Sequence, residues 1–335
     1  MINRQWRLAR RPEGRVGPEH FQWTSAPVPE PAEGQFLVRT RYLSFDPAQR
    51  GWLNDLPSYI RPVAIGEVMR ALGVGEVVAS RHPDFPVGCW VAGPLGWQDY
   101  ALLDASPGPF SVERLEPGVP PTWYLHLLGI TGLTAYFGMV EVGRLRPGET
   151  VAVSAAAGAT GSVAGQLARI CGCRVIGIAG GERKVRFLRD ELGFDEALDH
   201  RGGDLARRLK ALAPSGIDLF FDNVGGEVLD SALVNLARGA RVVICGAIAS
   251  GYTAKAPAAG VHQHLQLVLR RARMEGFLVL DYAERFAVAR AALRRFAERG
   301  QLRVVEDVAH GLEHCPEVLA GLFEGRNLGK QLLEV

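Results

Sequence analysis

The apolar positions along the chain change their rhythm near residue 122. Before it, short β-like runs at Gln35 to Arg41, Gly73 to Ala79, Cys89 to Ala92 and Trp97 to Leu102 are broken by Pro and Gly, which predicts irregular antiparallel β structure. Beyond it, strands alternate with helical patterns. A short apolar strand from Val151 runs through a glycine turn into a helix reaching Ile170, and a strand at Arg174 to Ala179 and a helix at Arg183 to Leu192 follow. Next come a strand at Glu196 to Asp199, a helix at Leu205 to Leu212 and a strand at Ile217 to Asp222. A helix at Glu227 to Leu236, a strand at Arg241 to Gly246, a sixth strand at Phe277 to Leu280 and a last helix at about Ala283 to Glu298 complete the series. Such alternation implies a parallel, doubly wound α/β sheet with right-handed crossovers. The β-like pieces of Leu302 to Val335 are expected to rejoin the first region. Residues 1–121 and 300–335 then form a β-rich domain, and 122–299 a Rossmann-type one.

A chain of 335 residues exceeds one small core, which agrees with two domains. The 38 basic residues balance 36 acidic ones, so no general field draws nucleic acid or an anionic membrane, and neither is expected as a partner. Arg4, Arg7, Arg10 and Arg11 interrupt any signal peptide, and no segment approaches the roughly 20 apolar residues of a membrane span. A cytoplasmic protein is expected. Five cysteines without a C-x-x-C pair argue against a disulfide framework and read as reduced, mostly buried thiols. Ala254 to Gly260 reads as a mobile small-residue loop.

The glycine turn carries the first chemistry. In Ala156-Ala157-Gly158-Ala159-Thr160-Gly161, Gly158 lets the backbone approach a diphosphate and Gly161 lets the helix pack close on the strand. The N–H groups of the first helical turn then face the anion, with the helix dipole behind them. Ala156 stands where the usual G-x-G-x-x-G signature has its first glycine. The tip of the second strand reads Gly180-Gly181-Glu182-Arg183-Lys184, with no carboxylate for the ribose hydroxyls of NAD. Arg183 and Lys184 there suit a 2′-phosphate, hence NADP, although a solvated helix start would also use them. In an open parallel sheet the ligand crevice lies beyond the carboxyl ends of the strands. That places Asn223, Val224, Gly225, Gly226, Cys245, Gly246 and Phe277 at the nicotinamide end.

With these segments in place, the chain resembles the zinc-independent medium-chain reductases, in the group of leukotriene B4 12-hydroxydehydrogenase/prostaglandin reductases and NADPH-dependent alkenal and curcumin reductases. The likeness rests on Ser44-Phe45-Asp46-Pro47 with Arg50, Pro57-Ser58-Tyr59, Gly96 to Tyr100, Thr134-Ala135-Tyr136 and the glycine turn. It continues through Gly193-Phe194-Asp195, Phe221 to Gly226, Cys245 to Ile248, Gly276-Phe277, and Leu322 to Gly325 with Asn327, Gly329 and Lys330. The resemblance implies a GroES-like β domain beside a Rossmann domain. It also implies reduction of an α,β-unsaturated ketone or aldehyde, with hydride from NADPH reaching the β-carbon and an enolate held by hydroxyls before the α-carbon is protonated. By the same likeness Gly181 and Lys184 meet the 2′-phosphate, while Asn223, Cys245, Phe277 and Asn327 line the nicotinamide and ribose pocket.

The chain also departs from the group. Ala48 and Leu269 replace tyrosines familiar near the substrate, and His200 replaces one at the ribose side. Tyr59 and Tyr252 remain as candidate proton donors, against the plain alternative of half-buried tyrosines with hydroxyls in water. The ribose hydroxyl of the cofactor is a further donor. A catalytic metal is not expected: Cys89 has no matching Gly-His-Glu, the chain has no four-cysteine cluster, and His262 and His264 point to different sides of a helix start. Ser154 lacks the G-x-S-x-G elbow of a hydrolase. Two other readings stay open, a quinone reductase using the same pocket and a nucleotide-binding protein without turnover. A homodimer is expected if Phe277 to Leu280 ends the sheet as an exposed edge.

Overall fold

The chain begins with an antiparallel pair, β1 (Ile2–Leu8) and β2 (Phe21–Pro27). The structure, a computed structural model, describes residues 1–108, 110–253 and 260–335, so the loop read from 254–260 lies outside the described residues except for Gly260. Strand β3 (Phe36–Ser44) is followed by one helical turn, α1 (Ala48–Gly51), and then by β4 (Gly73–Ser80), β5 (Trp90–Gly93), β6 (Tyr100–Leu103) and β7 (Glu113–Arg114). Trp97, read as part of a strand, is fully buried just ahead of β6, where Gly96 turns at φ +70°.

Helix α2 (Ile130–Phe137) leads to the parallel sheet: β8 (Thr150–Ser154), α3 (Ala159–Ile170), β9 (Arg174–Ala179), α4 (Glu182–Asp190) and β10 (Glu196–Asp199). It continues with α5 (Leu205–Leu212), β11 (Ile217–Asp222), α6 (Gly226–Leu233), β12 (Leu236–Ile244), α7 (Leu265–Arg270) and β13 (Arg273–Gly276). The strand order β10-β9-β8-β11-β12-β13 is the doubly wound one, reversing between β8 and β11. Val151, Ala152 and Val153 are wholly buried, as a strand covered on both faces requires.

Two expectations are corrected. The sixth strand is Arg273–Gly276, paired with β12 from Arg241↔Arg273 to Ile244↔Gly276, and Phe277 to Leu280 lies just past it. Backbone pairing decides this register, while the apolar run turns inward and buries Val279 against Leu133, Phe137 and Ala289. The helix read to Leu236 stops at Leu233, because the Asn235 amide donates to the carbonyls of Ala206 and Ser231, both at 2.8 Å.

After α8 (Phe286–Glu298) come β14 (Glu306–His310), α9 (Cys315–Glu324) and β15 (Lys330–Glu334). The last two strands join β3 to β7 in a seven-stranded sheet, with β15 antiparallel to β3. Gly329 forms a parallel bridge to Gly158, its N–H donating to the Ala157 carbonyl at 2.7 Å. The five cysteines are free. Cys173 and Cys315 are buried and the other three only half-buried, fewer than the sequence led us to expect. No helix among the described residues is long and apolar enough to cross a membrane.

One buried group predicts an acid response. His126 is fully enclosed, its Nδ1 3.2 Å from the Thr131 hydroxyl, and burial with the nearby Lys330 pushes its pKa from 6.5 down to about 3. Between those values the unfolded chain takes up a proton that the folded chain refuses, so stability falls as pH falls. The slope from this residue is about 1.4 kcal/mol per pH unit. We expect His126→Leu to flatten urea-denaturation stability against pH over that window; an unchanged slope refutes the assignment.

Candidate active site

Beyond the carboxyl ends of β8, β11, β12 and β13 opens a cleft of about 570 Å³, closed on its other side by α1 and the segment after it. Gly158, Ala159, Thr160 and Gly161 form one end. A Cβ on Gly161 would strike the Ala155 carbonyl and sit 2.9 Å from the Ala156 Cα, so only glycine lets α3 begin here. The first-turn amides of α3 have no carbonyl to meet within the helix, and Gly158, its N-cap, offers no side chain to them. Ala156 is fully buried behind the turn and does not reach the cleft. Its place is structural.

At the tips of β9 and β10 two cations line the cleft, Lys184 and Arg201, with the charges of Asp307 and Asp199 near them. Burial, then Arg201, then Arg183, hold the Lys184 pKa below its ordinary value. Gly181 caps α4 at φ +90°, a conformation that favours glycine, but does not itself line the cleft. Arg183 is exposed outside it, so of the adjacent pair only Lys184 turns in. His200 lines the same end, its pKa lowered by partial burial and then by Arg201 against the opposing pull of Asp199. Sequence reading missed Arg201. The available signal was a basic residue directly after β10, the strand beside β9.

At the other end the β11 tip is rigid. The Ser154 hydroxyl donates to the buried Asp222 carboxylate at 2.7 Å, which also accepts from the amides of Val224 and Gly225 at 3.0 Å. Burial raises the Asp222 pKa, but these three donors oppose the rise. Asn223 donates from Nδ2 to the Ser154 carbonyl at 2.7 Å, leaving Oδ1 as an acceptor on the cleft wall. Cys245 and Gly246 follow, both amides donating to the Asp222 carbonyl, at 2.8 and 3.1 Å. Burial and Asp222 push the Cys245 thiol up to about 12, so it is no thiolate nucleophile at neutral pH. Phe277 and Asn327 complete this wall, and the Asn327 amide donates to Gly329 at 2.8 Å.

Both tyrosines of the sequence reading line the cleft. The Tyr59 hydroxyl accepts from Trp52 Nε1 at 3.1 Å, and the Tyr252 hydroxyl accepts from the Ala247 amide at 3.1 Å. Each phenol therefore keeps its own proton to donate. Burial raises both pKa values, which makes them acids held protonated rather than bases. Gly246 permits the approach of Tyr252, since a Cβ there would lie 3.0 Å from the hydroxyl. Ala48 lines the cleft, whereas Leu269 is 55% exposed on α7 and takes no part in it. Among the described residues no group of three or more His, Cys, Asp or Glu side chains is placed to hold a metal ion.

A doubly wound nucleotide domain joined to a β-rich domain, with a cleft between them, defines a medium-chain oxidoreductase. Family models for the N-terminal domain of oxidoreductase and for zinc-binding dehydrogenase match residues 4–109 and 159–297. The NADPH-dependent curcumin reductase of Escherichia coli is 40% identical over 99% of this chain and 97% of its own length. The NADP-dependent 2-alkenal reductase of Nicotiana tabacum is 41% identical over 92% of this chain and 89% of its own. The crystal structure of CurA from Vibrio vulnificus with NADPH superposes with a TM-score of 0.93 at 40% identity, covering 99% of both chains. The chain belongs to the zinc-independent medium-chain dehydrogenase/reductase family, in the group of curcumin, alkenal and prostaglandin reductases.

Proposed function

We propose that this protein is an NADPH-dependent reductase of the carbon–carbon double bond of α,β-unsaturated ketones and aldehydes, acting in the cytoplasm. The observation that carries the reading is the polarity of one cleft. A side-chain-free glycine turn with two cations lies at one end, and two protonated phenols among apolar walls lie at the other. Relatives named as NADPH-dependent curcumin reductase and 2-alkenal reductase support it.

The donor set fits the cofactor. The first-turn amides of α3 would hold the diphosphate, Lys184 and Arg201 would hold the 2′-phosphate, and Asn223, Cys245, Gly246, Phe277 and Asn327 would surround the nicotinamide and its ribose. When bound, NADPH supplies the hydride for the β-carbon. Trp52, Leu72, Phe110 and Ile130 exclude water around the acceptor. Tyr252 is the more enclosed phenol, Tyr59 being 46% exposed, so Tyr252 donates to the carbonyl oxygen as negative charge develops there. We assign residues 1–121 and 300–335 to the substrate domain and 122–299 to the nucleotide domain.

Steady-state NADPH oxidation tests the reading. Turnover of an enone such as 3-nonen-2-one, reduced about tenfold in kcat by Tyr252→Phe, is expected; turnover of quinones alone, or tight NADPH binding without turnover, refutes it. The proposal includes a homodimer. The sheet ends at β13, and Leu265, Val268 and Leu269 of α7, packed on β12, are 60, 69 and 55% exposed. Light scattering should give twice the chain mass of 36.3 kDa; a single-chain mass rejects the dimer.

A further inference from the structure

Asn54 lies just past α1, outside every motif singled out in the sequence. Its amide makes two hydrogen bonds of opposite sense: Oδ1 accepts from Arg50 Nη1 at 2.7 Å, and Nδ2 donates to the Tyr252 carbonyl at 2.8 Å. Arginine offers donors only, so the amide cannot be reversed without setting N–H against N–H. The guanidinium is 1% exposed and donates to the carbonyls of Pro12 and Gly14 at 2.9 to 3.1 Å. A continuous series thus runs from the N-terminal segment through Arg50 and Asn54, across the cleft, to the loop that follows β12.

Tyr252 has a conformation that calls for such a hold. Its φ is +52°, in the left-handed region that residues with side chains seldom occupy. From that turn its hydroxyl meets the Ala247 amide. The same short stretch also sets the other phenol, since Trp52 donates to Tyr59.

We propose that Asn54 is a positioning residue for Tyr252: by holding the tyrosine's carbonyl from the opposite wall, it keeps the phenol aimed into the cleft. One hydrogen bond thus joins the two walls and sets the acid. The inference rests on the reading of Tyr252 as proton donor.

Asn54→Asp separates the two hydrogen bonds, because the carboxylate still accepts from Arg50 but sets an oxygen against the Tyr252 carbonyl. We expect kcat on the enone to fall about tenfold, with the NADPH dissociation constant from fluorescence quenching and the melting temperature nearly unchanged. Without any cofactor, chymotryptic cleavage after Tyr252 should become faster. In a Tyr252→Phe background the same substitution should lower kcat less than twofold further, since the group it positions is already gone. Wild-type kcat in Asn54→Asp, an unchanged cleavage rate, or a full tenfold loss persisting in the double variant overturns the inference. A Tyr252→Phe enzyme as active as wild type overturns the donor assignment itself, and the inference with it.

Discussion

Lys184→Ala is expected to weaken NADPH binding about 10- to 100-fold while leaving NADH binding within about twofold. The ammonium is half-buried at the cleft wall and is crowded by Arg201 and Arg183, which lower its pKa after burial does, with Asp307 opposing them. A dianionic 2′-phosphate relieves that crowding, and a hydrogen bond between charged groups contributes about 1.5–3 kcal/mol, which sets the range. NADH presents a neutral hydroxyl and gains little from the cation. Fluorescence titration with both nucleotides decides the matter. Equal losses for the two would mean that Lys184 shapes the site without reading the phosphate.

The second large effect concerns a buried ion pair. Lys330 Nζ donates to Asp46 Oδ1 at 2.5 Å and to the Phe45 carbonyl at 2.9 Å, tying β15 to the segment after β3. The lysine side chain is 1% exposed and the aspartate 25%, so the partners are not equivalent. Removing the acid leaves an ammonium with almost no water and only Glu306 to balance its charge, which costs about 3–5 kcal/mol. Removing the base leaves a carboxylate that still reaches solvent and accepts from the Ser44 hydroxyl at 2.5 Å, a smaller loss of about 1–2 kcal/mol. Asp46→Leu should therefore destabilise more than Lys330→Met in urea denaturation, and the double variant should recover most of the difference. Burial already lowers the Lys330 pKa from 10.5, and without Asp46 it falls further. The unfolded chain then binds the extra proton, so Asp46→Leu should regain stability as pH rises toward 10.5. The opposite ranking of the single variants would contradict the burial argument.

How far the chain could be read follows from which features are local. Val151 to Ser154 and the glycines after it announce a strand and a tight helix entry through residue type alone, and the strands of the parallel sheet follow from runs that need no knowledge of partners. The register of β13 is different. Arg273-Met274-Glu275-Gly276 has little strand character by itself and is a strand because β12 offers it a ladder, whereas Phe277 to Leu280 looks like one and is drawn into another cluster. The same distinction runs through the site. Gly158, Lys184 and Asn223 lie in the turns and first helical turns beyond strand ends that topology alone locates, but Arg201 becomes a neighbour of Lys184 only once β10 is laid beside β9. The bond from Asn54 to Tyr252 spans 198 positions, and neither residue type advertises it.

The place of β15 within the seven-stranded sheet sets a timetable for the ribosome. Tyr42, Leu43 and Ser44 of β3 pair with Glu334, Leu333 and Leu332, so this edge of the strand, opposite β4, waits unpaired while everything between is translated. The nucleotide-binding half is made and can close in that interval; the other half keeps an open ladder that invites pairing with foreign strands. When residues 327–334 emerge they fasten that ladder and, in the same stroke, deliver Asn327 and Gly329 to the wall beside the glycine turn. A nascent chain halted short of them would thus be both sticky and inert.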